Sequence, residues 1–104
     1  MIIEILTASG LPFRETQWVG RPPESTYGIY MDDVEADGPD DVTCIFTHNI
    51  TIEVYEPKPD PDAVKALERE LNARGCKWTK QSRYWLTDVQ RYQTIYEFSY
   101  VEKI

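Results

Sequence analysis

The stretch TIEVYEPKPDPDAVKALERELNARGCKW, residues 51–78, decides the fold, because one kind of secondary structure gives way to another within it. It begins with alternating apolar and polar residues, passes through prolines and aspartates, and continues with apolar residues at helical spacing. Alternation is typical of a half-buried strand, and the later spacing is typical of an amphipathic helix. The stretch therefore predicts strand, turn and helix, and it raises the question whether Asp60 and Asp62 perform chemistry or start the helix.

Helix initiation explains both aspartates. The prolines within residues 57–61 cannot donate hydrogen bonds to a sheet, so they end the strand. Asp60 is a favoured N-cap residue, Pro61 suits the first helical position, and Asp62 suits the first turn. Gly75 follows the last apolar position and predicts the end of the helix. The buried face of this helix is predicted to hold Val64, Leu67 and Leu71. We therefore favour helix initiation over a catalytic pair of carboxylates.

The clearest strand pattern runs from residue 42 to residue 54. One face would carry Cys44, Phe46, His48, Ile50, Ile52 and Val54, and the other Thr43, Thr47, Asn49, Thr51 and Glu53. We expect the predicted helix to pack on the first of these faces, through Phe46, Ile50, Ile52 and Val54.

The remaining elements are shorter. Residues 2–9 predict a helix that ends at Gly10, with a strand as the alternative because several of these residues are β-branched. Further strands are predicted at residues 13–19, 26–31, 76–80, 83–86 and 91–101. The chain is thus expected to form one α+β domain, residues 1–104, with two helices packed on a largely antiparallel sheet of about five strands. The expected order is α-β-β-β-α-β-β, with two or three strands after the second helix.

Composition limits the class of protein. A length of 104 residues fits one domain, and 41% apolar residues suffice for a compact core. The chain begins without a basic segment followed by a long apolar run, so we expect no signal peptide and no membrane span. Two cysteines are too few for a disulfide scaffold, and a reducing cytosolic compartment is the expected location.

The formal net charge of −7 argues against a general nucleic-acid binder, which needs a basic surface. The acidity is concentrated in residues 31–42, which contain six acidic residues and no basic one. We interpret this segment as a solvated acidic loop and as a candidate interaction site. Its acidic residues are Asp32, Asp33, Glu35, Asp37, Asp40 and Asp41.

The first half of the same segment matches the pattern of a calcium-binding loop. The first acidic positions of such a loop would be Asp33, Glu35 and Asp37, followed by Gly38. The twelfth position is Cys44, where a bidentate glutamate is required, and the flanks are predicted strands rather than helices. We therefore predict no metal-binding residues.

No catalytic or cofactor-binding residues are predicted either. His48 is the single histidine, and Cys44 would lie ~13 Å from it along the same strand, too far for a nucleophile and base pair. Two cysteines and one histidine also fall short of a structural zinc site. His48 is therefore predicted to be a half-buried strand residue.

An aromatic stripe near the end of the sequence could stack nucleic-acid bases or form part of the core. Its members are Trp78, Trp85, Tyr92, Tyr96, Phe98 and Tyr100. No basic groove accompanies it, so we favour core packing and cross-strand pairs, with some of this surface left for an interface.

The order of these segments resembles a family of phage proteins. The resemblance is carried by the first helix with its ending TASGLPFRE, TYGIYM after the Pro-Pro turn, the Ala36-Asp37 loop before HNITIEVYE, DPDAVKALERELNARG, KQSRYWL and YQTIYEF. Together they cover nearly the full chain. They are similar to head–tail joining and tail-completion proteins of siphophages and prophages of Gram-positive bacteria, whose fold is like that of lambda-type tail terminators.

The resemblance implies a structural protein without enzymatic activity. Such a protein assembles with copies of itself, commonly as a hexameric ring, caps the tail tube and offers a surface to the head connector. It would be made in the bacterial cytoplasm and end in the virion, without specific nucleic-acid or membrane binding. The acidic loop would then face the DNA channel or a basic partner surface.

Two hypotheses from other classes remain. One is a small acidic binding or regulatory protein that occupies a basic site on a partner. The other is an enzyme, which the missing catalytic signature disfavours.

Overall fold

The computed structural model describes residues 1–37 and 45–103, except the side chain of Asp37. Asp40, Asp41 and Cys44 therefore lie outside the described residues. The elements in chain order are α1 (Ile2–Ser9), β1 (Phe13–Glu15), β2 (Tyr27–Asp37), β3 (Ile45–Glu56), α2 (Pro61–Ala73), β4 (Thr79–Lys80), β5 (Tyr84–Leu86) and β6 (Arg91–Lys103).

The strands of the described chain form one mixed sheet with the order β1-β2-β3-β6-β4, and β5 also pairs with β6. β1 runs parallel to β2, and every other pairing is antiparallel. The prediction of a largely antiparallel sheet with two helices is confirmed. The predicted count and order are corrected to six strands and α-β-β-β-α-β-β-β, because β4 and β5 occupy separate parts of the same edge of β6.

α1 and α2 lie against one face of the sheet and close the core. In the centre of the sheet Ile52 is paired with Tyr30 on one side and Tyr96 on the other, and all three are buried. Leu67 and Leu71 of α2 belong to the same core cluster. This confirms the predicted packing, except that Phe46 is only half-buried and stands outside the cluster, as does Val64, which is buried. The other members of the cluster are Ile2, Ile5, Leu6, Leu11, Ile50, Val54 and Phe98.

α2 begins and ends as predicted. The Oδ1 atom of Asp60 accepts a hydrogen bond from the backbone N–H of Ala63 at 3.3 Å, the geometry of an N-cap. Gly75 has φ +72°, and its N–H bonds to the carbonyl of Asn72 while the N–H of Cys76 bonds to that of Leu71. This is a Schellman ending, in which a glycine adopts the left-handed conformation at low cost. Asp60 therefore serves to start the helix.

The first predicted strand is too long. We expected residues 13–19, whereas β1 ends at Glu15. Thr16 has φ +67°, which turns the chain out of the sheet, and its N–H bonds to the carbonyl of Tyr30. The following residues fold across the face of the sheet opposite to the helices, where Trp18 packs edge-on against Tyr27 at 5.3 Å. That face is thus covered at the end of the sheet near β1.

The prediction of an acidic loop at residues 31–42 is partly wrong. Strand 26–31 was predicted to end where the acidic residues begin, but β2 continues through them to Asp37. Aspartate and glutamate have low β-propensity, yet pairing with β3 along the whole of β2 outweighs this preference. Asp33 and Glu35 are therefore strand residues, which also removes the geometry of a calcium loop from this part of the segment.

Candidate functional site

The candidate site is an extension of the sheet beyond the helices, which we call the distal ribbon. It consists of residues 31–37 of β2, 45–51 of β3 and 97–103 of β6. On the helix side, burial ends at the row formed by Ile50 and Phe98, and Val34 beyond it is 46% exposed. The molecule is 50 Å long but only 28 and 23 Å across. The ribbon therefore projects from the helix-covered core.

Both outer edges of the distal ribbon lack a neighbouring strand within the described residues. β1 pairs with β2 only as far as Tyr30, and β4 pairs with β6 only as far as Glu97. Beyond these points the outward backbone N–H and C=O groups of β2 and β6 have no partner strand within residues 1–37 and 45–103. Such edges are protected or used for pairing with another chain.

His48 ties the three strands of the ribbon together midway along its length, in the row that it forms with Val34 and Tyr100. Its Nδ1 atom lies 2.9 Å from both carboxylate oxygens of Asp32 on β2, and its Nε2 atom lies 3.2 Å from Oε1 of Glu102 on β6. The imidazole stacks in parallel on Tyr100, with ring centroids 4.4 Å apart. When both ring nitrogens carry protons, His48 donates a hydrogen bond to a carboxylate on each side.

The two carboxylates favour the charged form of His48. The hydrogen bond with Asp32 is the main cause that raises the pKa of His48 above its ordinary value of 6.5, and Glu102 adds to it. Partial burial acts in the opposite direction and is outweighed. The predicted position of His48, a half-buried strand residue, is confirmed, since its side chain is 13% exposed on β3. Its role as a charged link between three strands was not predicted.

A second polar contact crosses the other face of the ribbon. Asn49 donates a hydrogen bond to Glu35 at 3.3 Å and accepts one from Ser99 at 2.7 Å. Asn49 thus links β2, β3 and β6 on this face, as His48 does on the helix side. Within the described part of the acidic segment, Asp32 and Glu35 have these partners, whereas Asp33 is exposed on the ribbon surface.

Cys76 and His48 have different partners. The sulfur of Cys76 is 3.9 Å from that of Met1, and burial raises the pKa of this thiol. Both ring nitrogens of His48 contact carboxylates instead, so the two residues do not form a nucleophile and base pair. Among the described residues, no group of three or more histidine, cysteine, aspartate or glutamate side chains is placed to hold a metal ion.

Most of the aromatic stripe belongs to the core, as predicted. Tyr96 is fully buried and donates a hydrogen bond to Glu68 at 2.6 Å, while Trp78 packs against its ring. Trp85, which is exposed, and Tyr92, which is half-buried, form an edge-to-face pair at 4.9 Å where β5 pairs with β6, at the edge of the sheet opposite to β1. Tyr100 instead stacks on His48.

A fully buried carboxylate joins β3 to the start of α2. Glu56 has no exposed surface, and its Oε2 atom accepts a hydrogen bond from the backbone N–H of Asp60 at 2.6 Å. Its Oε1 atom is 3.5 Å from Nε of Arg83, which precedes β5. The pair holds the β3–α2 turn against β5 and is a structural link.

Sequence reasoning missed the cluster around His48 because its members are distant in the sequence. Only the pairing register places Asp32 and Glu102 beside His48, and the register was not known from the sequence. The one available signal was the alternation of residues 42–54, which put His48 on the apolar face and so demanded a polar partner there.

Within the described residues, neither helix is long and apolar enough to cross a membrane. No protein-family model matches the chain, and no curated protein is found to resemble it in sequence.

Proposed function

We propose that this chain is a non-enzymatic structural protein of a siphophage or prophage, which assembles as a ring at the end of the tail or at the head–tail junction. The observation that supports the proposal is the distal ribbon, a three-stranded projection with an open edge on each side. Open edges in a small sheet are either protected or used for pairing with other chains, and no strand within residues 1–37 and 45–103 covers the edges of the ribbon. The resemblance of the segment order to tail-completion proteins supports the same role.

A ring suits a subunit with two different open edges. A contact between unlike surfaces, repeated around an axis, closes a cycle with one kind of interface. The partners would be further copies of the chain, six in a hexameric ring, together with the tail tube and the head connector. The protein would be made in the cytoplasm of the bacterial host and then be incorporated into the virion.

The acidic surface suits a position next to DNA or next to a basic protein. Asp33 and Glu35 are exposed on β2. Negative charge repels phosphates, so these residues would not bind DNA and would suit a basic surface on a neighbouring protein.

A second candidate function is a small acidic binding protein that occupies a basic site on a partner. The observation in its favour is the same exposed carboxylate pair on a free strand edge. It predicts a tight one-to-one complex rather than a ring.

The experiment is a capping assay with purified tail tubes. The protein is mixed with tubes, the tube ends are imaged by electron microscopy, and ring-shaped density specific to one end is expected. A variant with Asp33→Asn and Glu35→Gln removes the exposed charges of β2, and Asp62→Asn with Glu24→Gln is a matched control at exposed sites elsewhere. Uncapped tubes together with tight one-to-one binding to a basic protein would replace the ring proposal with the second candidate.

A further inference from the structure

The two open edges of the distal ribbon differ in charge. The outer edge of β2 carries the exposed acidic residues Asp33 and Glu35. The outer edge of β6 carries Ser99, Val101 and Lys103 on one face and Glu102, which contacts His48, on the other, all of them exposed. Unlike edges of this kind favour contact between different surfaces of two copies.

Pairing of identical edges uses the ribbon poorly. Two β2 edges side by side would bring carboxylates against carboxylates, and like charges on neighbouring strands destabilise a sheet. Pairing of two β6 edges would leave both β2 edges open, so the outward N–H and C=O groups of β2 would still have no partner strand. Only β2 against β6 uses both edges of every copy.

The strand directions allow this contact without reversal of a subunit. β2 and β6 are each antiparallel to β3, so they run parallel to each other. A second copy placed beside the first in the same orientation therefore brings its β2 parallel to the first copy's β6. The helix-covered faces of the two sheets stay on the same side, as rotation about a ring axis requires.

The side chains on the open face then have complementary charges. Ser99, Val101 and Lys103 lie on the same face as Asn49, and so do Asp33 and Glu35 of β2. Beside the β6 edge this face also has an open depression of about 410 Å³, lined by Asn49, Ile50, Thr51, Lys77, Thr79, Glu97, Phe98 and Ser99. Lys77 and Lys103 are exposed, and neither forms an ion pair with the part of the chain that the structure describes. A neighbouring β2 would bring its carboxylates near these two amines, while the exposed Glu97 on the same face already accepts a hydrogen bond from Gln81.

We infer that the outer edge of β2, residues 31–37, pairs in parallel with the outer edge of β6 of the next copy, with Asp33 and Glu35 set against Lys77 and Lys103. This contact rests on the proposed function, since it specifies how the ring is built. The occupant of each open edge is thus a second copy of this chain.

Charge reversal tests the pairing directly. Variant A has Asp33→Lys and Glu35→Lys, and variant B has Lys77→Glu and Lys103→Glu. Each variant alone places like charges at every contact, so we expect capping of tail tubes to need at least about tenfold more protein than wild type, a loss of ~1.4 kcal/mol per contact. An equal mixture of A and B restores opposite charges at every contact of an alternating ring, and capping should return.

Controls separate misfolding from loss of contact. Circular dichroism should show cooperative thermal unfolding of both variants, and reversal of Asp62 and Lys65, exposed on α2, should leave capping unchanged. Folded variants A and B that fail to complement each other overturn the inference, and so does undiminished capping by each variant alone.

A cross-linking experiment separates the inference from the proposed function. Glu35→Cys and Val101→Cys are placed on separate copies in a Cys44→Ser, Cys76→Ser background and joined with a short bis-maleimide. Dimers cross-linked between the two positions support the edge contact, even where wild type does not cap tail tubes and the tail role fails. Capped tubes without any such cross-link leave the proposed function standing and overturn the edge contact. The absence of both capping and cross-links overturns the proposed function and the edge contact together.

Discussion

The N-cap of α2 offers the sharpest test of how the fold is held, through Asp60→Ala. The two carboxylate oxygens of Asp60 have separate tasks. Oδ1 accepts from the N–H of Ala63 at 3.3 Å, and Oδ2 accepts from the hydroxyl of Thr26 at 2.7 Å. Thr26 is only 5% exposed, so its hydroxyl depends on this partner. Asp60 therefore fastens α2 to the chain just before β2.

The expected loss in the free energy of unfolding follows from these two contacts. Loss of an N-cap costs about 1 kcal/mol. A buried hydroxyl without a partner costs ~1–3 kcal/mol more. Asp60→Ala should thus cost about 2–4 kcal/mol. Asp60→Asn should cost less than ~1 kcal/mol, because an amide oxygen can cap the helix while its NH₂ donates to the threonine hydroxyl.

Urea denaturation followed by far-ultraviolet circular dichroism measures both values. A double-mutant cycle with Thr26→Val then isolates the contact between the two side chains, and we expect a coupling energy of roughly 0.5–1.5 kcal/mol. Equal losses for Asp60→Ala and Asp60→Asn would show that the carboxylate itself is required and would refute the capping explanation. A coupling energy near zero would refute the role assigned to Thr26.

Three further predictions concern the core, the end of α2 and the ribbon. Leu67 is fully buried, so Leu67→Ala should lower the free energy of unfolding by about 3–5 kcal/mol, against less than ~0.5 kcal/mol for the exposed Lys65→Ala; an unchanged denaturation midpoint would contradict the packing. Gly75→Ala should cost ~1–2 kcal/mol through its φ of +72° alone, since no atom within 4 Å would meet the added methyl; a neutral result in the same assay would count against strain. The pKa of His48 is raised by Asp32, so its charged contacts stabilise the ribbon fully below pH 6.5 and lose this contribution as pH rises through the folded-state pKa. Titration by nuclear magnetic resonance should give a pKa above 6.5 that falls in Asp32→Asn, and a pKa at or below 6.5 in the wild type would exclude the charged link.

The core and the second helix could be predicted from the sequence because their patterns are local. The spacing of Leu67 and Leu71, the cap at Asp60 and the stop at Gly75 each depend on residues within a few positions of one another. Those signals specify a helix and its buried face without knowledge of the rest of the chain. The structure confirms each of them.

The ribbon could not be predicted because it depends on contacts distant in the sequence. The six acidic residues between 31 and 42 have low β-propensity and favour a solvated loop. Pairing with β3 makes the first four of them, up to Asp37, part of a strand. The neighbours of His48 come from 16 positions before it and 54 after it. Without the register, nothing in the sequence indicated that these carboxylates would meet one imidazole.

The position of β6 in the sheet has a consequence for the order of folding during synthesis. It pairs with β3 on one side and with β4 and β5 on the other, although it follows all of them in the sequence. Until residues 91–103 have been synthesised, β3 can pair only with β2, and β4 and β5 have no strand to pair with. Long-range pairing of this kind makes folding slow, and unpaired strands expose a nascent chain to aggregation. The domain therefore cannot complete its sheet before residues 91–103 have been synthesised.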